Sequence, residues 1–233
     1  MKFNNAAAIF LQMVKKGKIE KIMTGYLILG YFRWQPWLEA GESVGKLMYS
    51  WDSWSIFLLP AMIVLCFRYV SWFWDENTLV RIGRNRKCTE YLLSGIVLIS
   101  FLTAFVYEAA AVAGSLAFSA QTFQIGNQEL LHLIFSWAVL AIYGLLFTIG
   151  CLSGVRIQTL TAGLVVLPAV DEMIFRFGGT GVLSSRLSVM NSLQQEIGTA
   201  VWFMASGLIL VWILNQAVMK GGRGQKNGEE KRI

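Results

Sequence analysis

The sequence predicts an all-α, polytopic membrane protein, and three observations lead there. Hydrophobic residues make up 55% of the 233 positions and charged residues only 15%, against about 25% charged in soluble domains. Mean hydropathy is +0.54. The apolar residues are gathered into long runs close to the roughly 20 residues that a helix needs to cross a bilayer. A chain of this length and composition leaves almost nothing for a separate soluble domain.

The elements follow in chain order. Residues 1–20 predict an amphipathic helix on the membrane surface, with Ile9, Phe10, Met13 and Val14 at helical spacing and Lys15, Lys16 and Lys18 after them. The same order, apolar first and basic second, is the reverse of a cleavable signal peptide. Residues 21–219 predict a six-helix transmembrane domain. Its spans run from Lys21 to Leu38, Ser53 to Trp74, Tyr91 to Ser119, Leu130 to Leu152, Gln158 to Phe175 and Ile197 to Met219. The first is interrupted by Arg33 and Pro36, and the third is longer than a bilayer requires, which calls for tilt or extension beyond the lipid. Trp51 and Trp54 at one end of the second span, with Trp72 and Trp74 at the other, predict aromatic belts at the two headgroup levels. The fifth run is expected to break at Pro168. Residues 220–233 are Gly-rich and charged and predict a disordered cytoplasmic tail.

Orientation follows from the basic residues. With the N-terminus cytoplasmic, only Arg33, Lys46, Arg176 and Arg186 of the 20 Lys and Arg fall on the outer side. That bias places both termini in the cytoplasm. The net charge of +6 is thereby absorbed by topology, which argues against nucleic acid as a partner. Cys66, Cys88 and Cys151 form no CxxC pair and read as small apolar filler.

The most informative segment is the loop at 75–90, which holds Arg81, Arg84, Arg86 and Lys87. Asp75 is suited to cap a short helix, Leu79, Val80 and Ile82 give that helix an apolar side, Gly83 ends it, and Asn85 is placed to cap the next span. A short helix lying along the membrane with apolar side chains needs a lipid surface or a protein groove to cover them.

With this loop, six spans and the surface helix, the chain resembles the permease subunits of type V ABC exporters, the six-helix ABCG-like class that includes small bacterial peptide-export and immunity systems. The motif is Asp75-Glu-Asn-Thr-Leu-Val-Arg-Ile-Gly-Arg-Asn-Arg-Lys87. The resemblance implies that the loop is a coupling helix docking into a separate ABC ATPase subunit. Leu79, Val80 and Ile82 would fill the groove while Arg81 and Arg84 pair with acids on its rim. It also implies a second permease copy or homologue, a hydrophobic or peptide substrate, and a bacterial cell membrane. This chain would bind no cofactor, and ATP and Mg²⁺ would belong to the partner. The family's short re-entrant helices between its last two spans would correspond to 171–196, where Pro168, Asp171, Glu172 and Gly178-Gly-Thr-Gly181 punctuate the sequence.

Within the spans, Glu108 is the charged group to explain, because a charge at the bilayer centre costs about 3 kcal/mol or more. Its distance from the loop puts it near the outer boundary, as a contact to substrate or partner permease or as an interfacial carboxylate. The small residues after it, Ala109 to Ala111, Ala113 and Gly114, allow close helix approach. Arg33 reads as a snorkelling side chain and His132 as structural.

Gly41-Glu-Ser-Val-Gly-Lys-Leu47 is one residue short of a phosphate loop and has Leu47 where Ser or Thr must bind magnesium. No metal cluster, nucleophile elbow or catalytic dyad is found. The expectation is therefore a transport subunit without enzymatic activity. The alternatives are the substrate-binding membrane subunit of a vitamin importer, a membrane-embedded enzyme, or a non-transporting immunity or anchoring protein.

Overall fold

The computed structural model of the chain describes residues 19–32, 53–73, 86–118, 127–179, 181–189 and 193–229. Among them there is no strand. The elements are α1 (Ile19–Phe32), a π-helical turn (Trp54–Leu58) leading directly into α2 (Leu59–Phe73), α3 (Arg86–Phe118), α4 (Asn127–Leu152), α5 (Ile157–Gly178), a 3-10 helix (Ser184–Val189) and α6 (Leu193–Glu229). Residues 1–18 of the expected surface helix, residues 75–85 of the coupling loop expected at 75–90 and the phosphate-loop-like stretch lie outside the described residues; residues 86–90 of that loop open α3.

Among the described residues four stretches are long and apolar enough to cross a membrane: Trp54–Ser71, Cys88–Ala110, Leu133–Leu152 and Gln194–Met219. They overlap four of the six expected spans. One expectation on the remaining elements is corrected. α5 does not break at Pro168 but runs through it to Gly178. Proline removes one N–H and leaves the Leu164 carbonyl without its helical donor, a loss that helices within a packed bundle tolerate. α6 runs from Leu193 to Glu229.

Helix ends are set by local chemistry. α4 closes in a Schellman motif: Gly154 takes φ 78°, its N–H reaches Cys151 O at 3.2 Å, and Val155 N–H reaches Gly150 O at 3.1 Å. α5 closes at Gly179 (φ 73°), whose N–H bonds Phe175 O at 2.8 Å. Both glycines sit where an L side chain would be strained.

The bundle is organised around α4, which packs on α2, α3, α5, α6 and the 3-10 helix. Its Leu140, Tyr143 and Phe147 meet a core that includes Leu59, Met62 and Tyr69 of α2 and Leu92, Ile96 and Ile99 of α3. In lipid no hydrophobic force drives helices together, so close packing and interhelical hydrogen bonds must. Gly95 and Gly144 supply the closeness: a Cβ at Gly95 would fall inside the Tyr69 ring, and one at Gly144 would stand 2.6 Å from Met62 Cε and 2.8 Å from Ile96 Cγ2. Hydrogen bonds pin the same helices, with Trp137 Nε1 donating to Val97 O at 3.1 Å and Thr89 Oγ1 to Asn215 Oδ1 at 3.2 Å. Cys66 and Cys88 are buried in this core.

α6 is different. Only 17% of its apolar stretch is buried, against 44–61% for the other three. Leu208, Ile209, Trp212 and Met219 all face outward. Apolar side chains turned away from the bundle suit a surface in contact with acyl chains rather than water.

Candidate functional site

Most of the core is apolar, and the exception is a polar junction where the π-helical turn, α4, α5 and the 3-10 helix meet. It starts from Pro60. Proline has no N–H to give to Ile56 O in the α-helical register. The Tyr26 hydroxyl of α1 donates to that carbonyl instead. One turn earlier the chain widens, and Leu59 N–H reaches back to Trp54 O. Such π-turns recur at functional sites because they re-aim side chains that a regular helix would point elsewhere.

Here the turn aims Trp54 into the protein. Trp54 is 0% exposed, and its ring lies 6.4 Å from that of Tyr143, tilted by 38°. The expected place for Trp54 in an interfacial belt is therefore corrected: it is a core residue. Trp54 Nε1, Ser55 Oγ and the Tyr143 hydroxyl are closed off from solvent with no hydrogen-bond partner in the protein. Each such group costs about 1–3 kcal/mol. The Tyr143 hydroxyl stands beside Asp171 and Ser184.

Among the described residues Asp171 is the one buried carboxylate, 4% exposed. Its two oxygens accept five contacts from the segment that follows α5. Oδ1 takes Val182 N–H at 2.7 Å and Leu183 N–H at 3.2 Å. Oδ2 takes Leu183 N–H at 3.1 Å, the Ser184 hydroxyl at 3.3 Å and Ser185 N–H at 2.9 Å. The Ser185 hydroxyl then donates to the Asp171 carbonyl at 3.2 Å. Hydrogen bonds to a charged group contribute about 1.5–3 kcal/mol each, enough together to hold a carboxylate inside the bundle. Gly181 makes the fold-back possible, since a Cβ there would stand 2.7 Å from the Ser185 carbonyl carbon.

The other side of this segment is tied to α6. Trp202 Nε1 donates to Val182 O at 2.8 Å. Arg186 donates from Nε to Thr199 Oγ1 at 3.3 Å and stacks its guanidinium 5.5 Å from the centre of the Trp202 ring. Residues 181–189 thus form a strap between α5 and α6, lying over α4.

The residues singled out from sequence are distributed differently. Leu79, Val80, Arg81, Ile82 and Arg84 lie outside the described residues. Glu108 is in α3, half-buried, with Oε1 enclosed, and stands about 33 Å along the helix axis from Arg86. Asp171 and Glu172, adjacent in sequence, part company: Asp171 turns inward to the strap, while Glu172 forms an i,i+4 ion pair with Arg176 at 3.0 Å. Of the span 171–196 expected to be re-entrant, 171–178 belongs to α5, 184–189 is a 3-10 helix, and 193–196 opens α6. His132 falls near the start of α4. Among the described residues no group of three or more His, Cys, Asp or Glu is arranged to hold a metal.

Comparison with protein-family models, curated proteins and solved structures returned no match to this chain. What the fold and the junction define is an all-helical bundle with four helices suited to crossing a membrane and a satisfied carboxylate held inside it.

Proposed function

We propose that the chain is the permease subunit of an exporter driven by a separate ATPase, paired with a second copy or homologue and moving a hydrophobic or amphipathic substrate, such as a peptide, across the cell membrane. In this reading α1 and α5 complete six crossings and both termini are cytoplasmic. ATP and Mg²⁺ act on the partner.

The observation that carries the reading is the basic segment joining α2 to α3. These helices pack on each other, α2 closes at Phe73 and α3 opens at Arg86. α3 begins with Arg86 and Lys87 and has no acidic residue in its first turn. Positive charge at the positive end of a helix macrodipole is disfavoured by about 0.3–1 kcal/mol. Charges kept against that gradient suit a cytoplasmic position and an acidic docking surface. The apolar Leu79, Val80 and Ile82 beside them suit the floor of a groove on that surface.

The test is retention of the motor. The full-length tagged chain, purified from its host membrane, is expected to carry a nucleotide-hydrolysing subunit identifiable by mass spectrometry. The Leu79→Asp/Val80→Asp variant is expected to lose it while remaining in the membrane. An unchanged complex with unchanged ATP hydrolysis overturns the reading.

A further inference from the structure

We propose that the strap Gly181–Val189 is a latch: a segment held closed against Tyr143 of α4 by one carboxylate, and built to lift as a unit. Three observations carry this, none of which depends on the permease reading. The first is how the strap is attached. Its bonds go to Asp171 on α5 and to Trp202 and Thr199 on α6. Its apolar anchorage is slight, with Leu187 buried, Leu183 half-buried and Val182 exposed. A segment held mainly by hydrogen bonds converging on one residue has two discrete states, because the bonds share an acceptor and are lost together.

The second observation is what lies underneath. The Tyr143 hydroxyl is enclosed beside Ser184 of the strap. Lifting the strap gives this hydroxyl access to water or to polar groups of a bound molecule, so the closed state carries a penalty that the open state relieves. The third is the pair of glycines at the strap's entry. Gly179 ends α5 at φ 73° and Gly181 allows the fold-back. The closed state is then a balance: the five contacts of Asp171 hold the strap down, and the enclosed Tyr143 hydroxyl favours its release.

The experiment uses the full chain in lipid nanodiscs, where both faces are open to reagent. Leu187→Cys places a reporter at a position that is 1% exposed when the strap is down. Its maleimide labelling rate is measured above that of the parent chain with its native cysteines. Adding Asp171→Asn, which keeps the side chain's shape and removes its charge, is expected to raise the rate about tenfold or more, the factor that corresponds to losing a charged acceptor. Trp202→Phe, which loses only the bond to Val182 O, is expected to raise it about two- to fivefold.

A second measurement avoids substitution at the latch. In the unmodified protein the amides of Val182, Leu183 and Ser185 are expected to exchange with deuterium together, and at least about tenfold faster than the core amides of α4. Labelling that Asp171→Asn leaves unchanged overturns the latch, and so does exchange of those three amides only in step with α4.

Discussion

Tyr69 and Asp171 are both buried polar residues, and the regions they anchor are held by different means. Around Tyr69, α2, α3 and α4 meet through shape: Gly95 admits the ring, the hydroxyl donates to Tyr91 O at 2.8 Å, and Met62, Ile96 and Gly144 interlock alongside. Around Asp171, α5 and the strap meet through charge, with five contacts on one carboxylate and little apolar area. One region tolerates no added volume, and the other no lost acceptor. The contrast shows where rigidity and motion are placed in the bundle. Interlocking side chains resist displacement in every direction, whereas bonds to a single acceptor fail as a set.

The largest expected effect tests the polar half. Asp171→Ala removes the acceptor for three backbone amides and a hydroxyl at once. It is expected to destabilise the bundle by about 3–5 kcal/mol, the range seen when one partner of a buried charged pair is deleted. Denaturant titration of the helical signal in detergent is the check. A loss below about 1 kcal/mol would mean that the strap adds nothing to the fold, and the comparison between the two regions would fail.

The apolar half answers to volume. Gly95→Ala is expected to cost about 1–3 kcal/mol, the usual range for overpacking, because the Tyr69 ring it meets is fully buried and held by its own hydrogen bond. Gly163→Ala in α5 is the control. A methyl there meets nothing within 4 Å, and replacing a helical glycine with alanine is expected to stabilise by about 0.4–1 kcal/mol. Equal effects at the two sites would show that backbone entropy, not packing, sets the response.

How much of this was legible beforehand follows the same division. The helices of the packed region were readable because apolar run length is a strong signal: the spans from Ser53, Leu130 and Ile197 all overlie observed apolar helices. The junction was not readable, because its parts lie far apart in sequence and each has a common alternative meaning. Trp54 at a span end suggests a headgroup belt, yet the π-turn before Pro60 rotates it inward, a local geometry that apolar run length does not encode. Pro168 suggests a helix break, yet α5 is carried through it by its neighbours. Asp171 was visible as a carboxylate, but its partners 11 to 14 residues later are backbone amides, which no residue type announces. The spacing of Asp171 to Gly178-Gly-Thr-Gly181 and Ser184-Ser185 was the available clue: a carboxylate, a glycine-rich reversal and two hydroxyls are the ingredients of a side-chain cap.

The finest discrimination comes from two tyrosines treated identically. Tyr69→Phe deletes a hydroxyl that donates to Tyr91 O, so a buried carbonyl loses a partner and the protein is expected to weaken by about 1 kcal/mol. Tyr143→Phe deletes a hydroxyl enclosed without a partner, so nothing is orphaned and a desolvation penalty disappears. Stability is expected to stay level or rise by about 1 kcal/mol. The ring volumes are unchanged in both variants, so the difference in sign isolates the polar atom. If Tyr143 is kept at a penalty to stability, its hydroxyl serves the state in which the strap is up, and Tyr143→Phe should also slow labelling at Leu187→Cys by favouring the closed form. A Tyr143→Phe variant that is both weaker and labelled faster would instead mean that the hydroxyl holds the strap down, and the division between a rigid apolar half and a releasable polar half would have to be redrawn at α4.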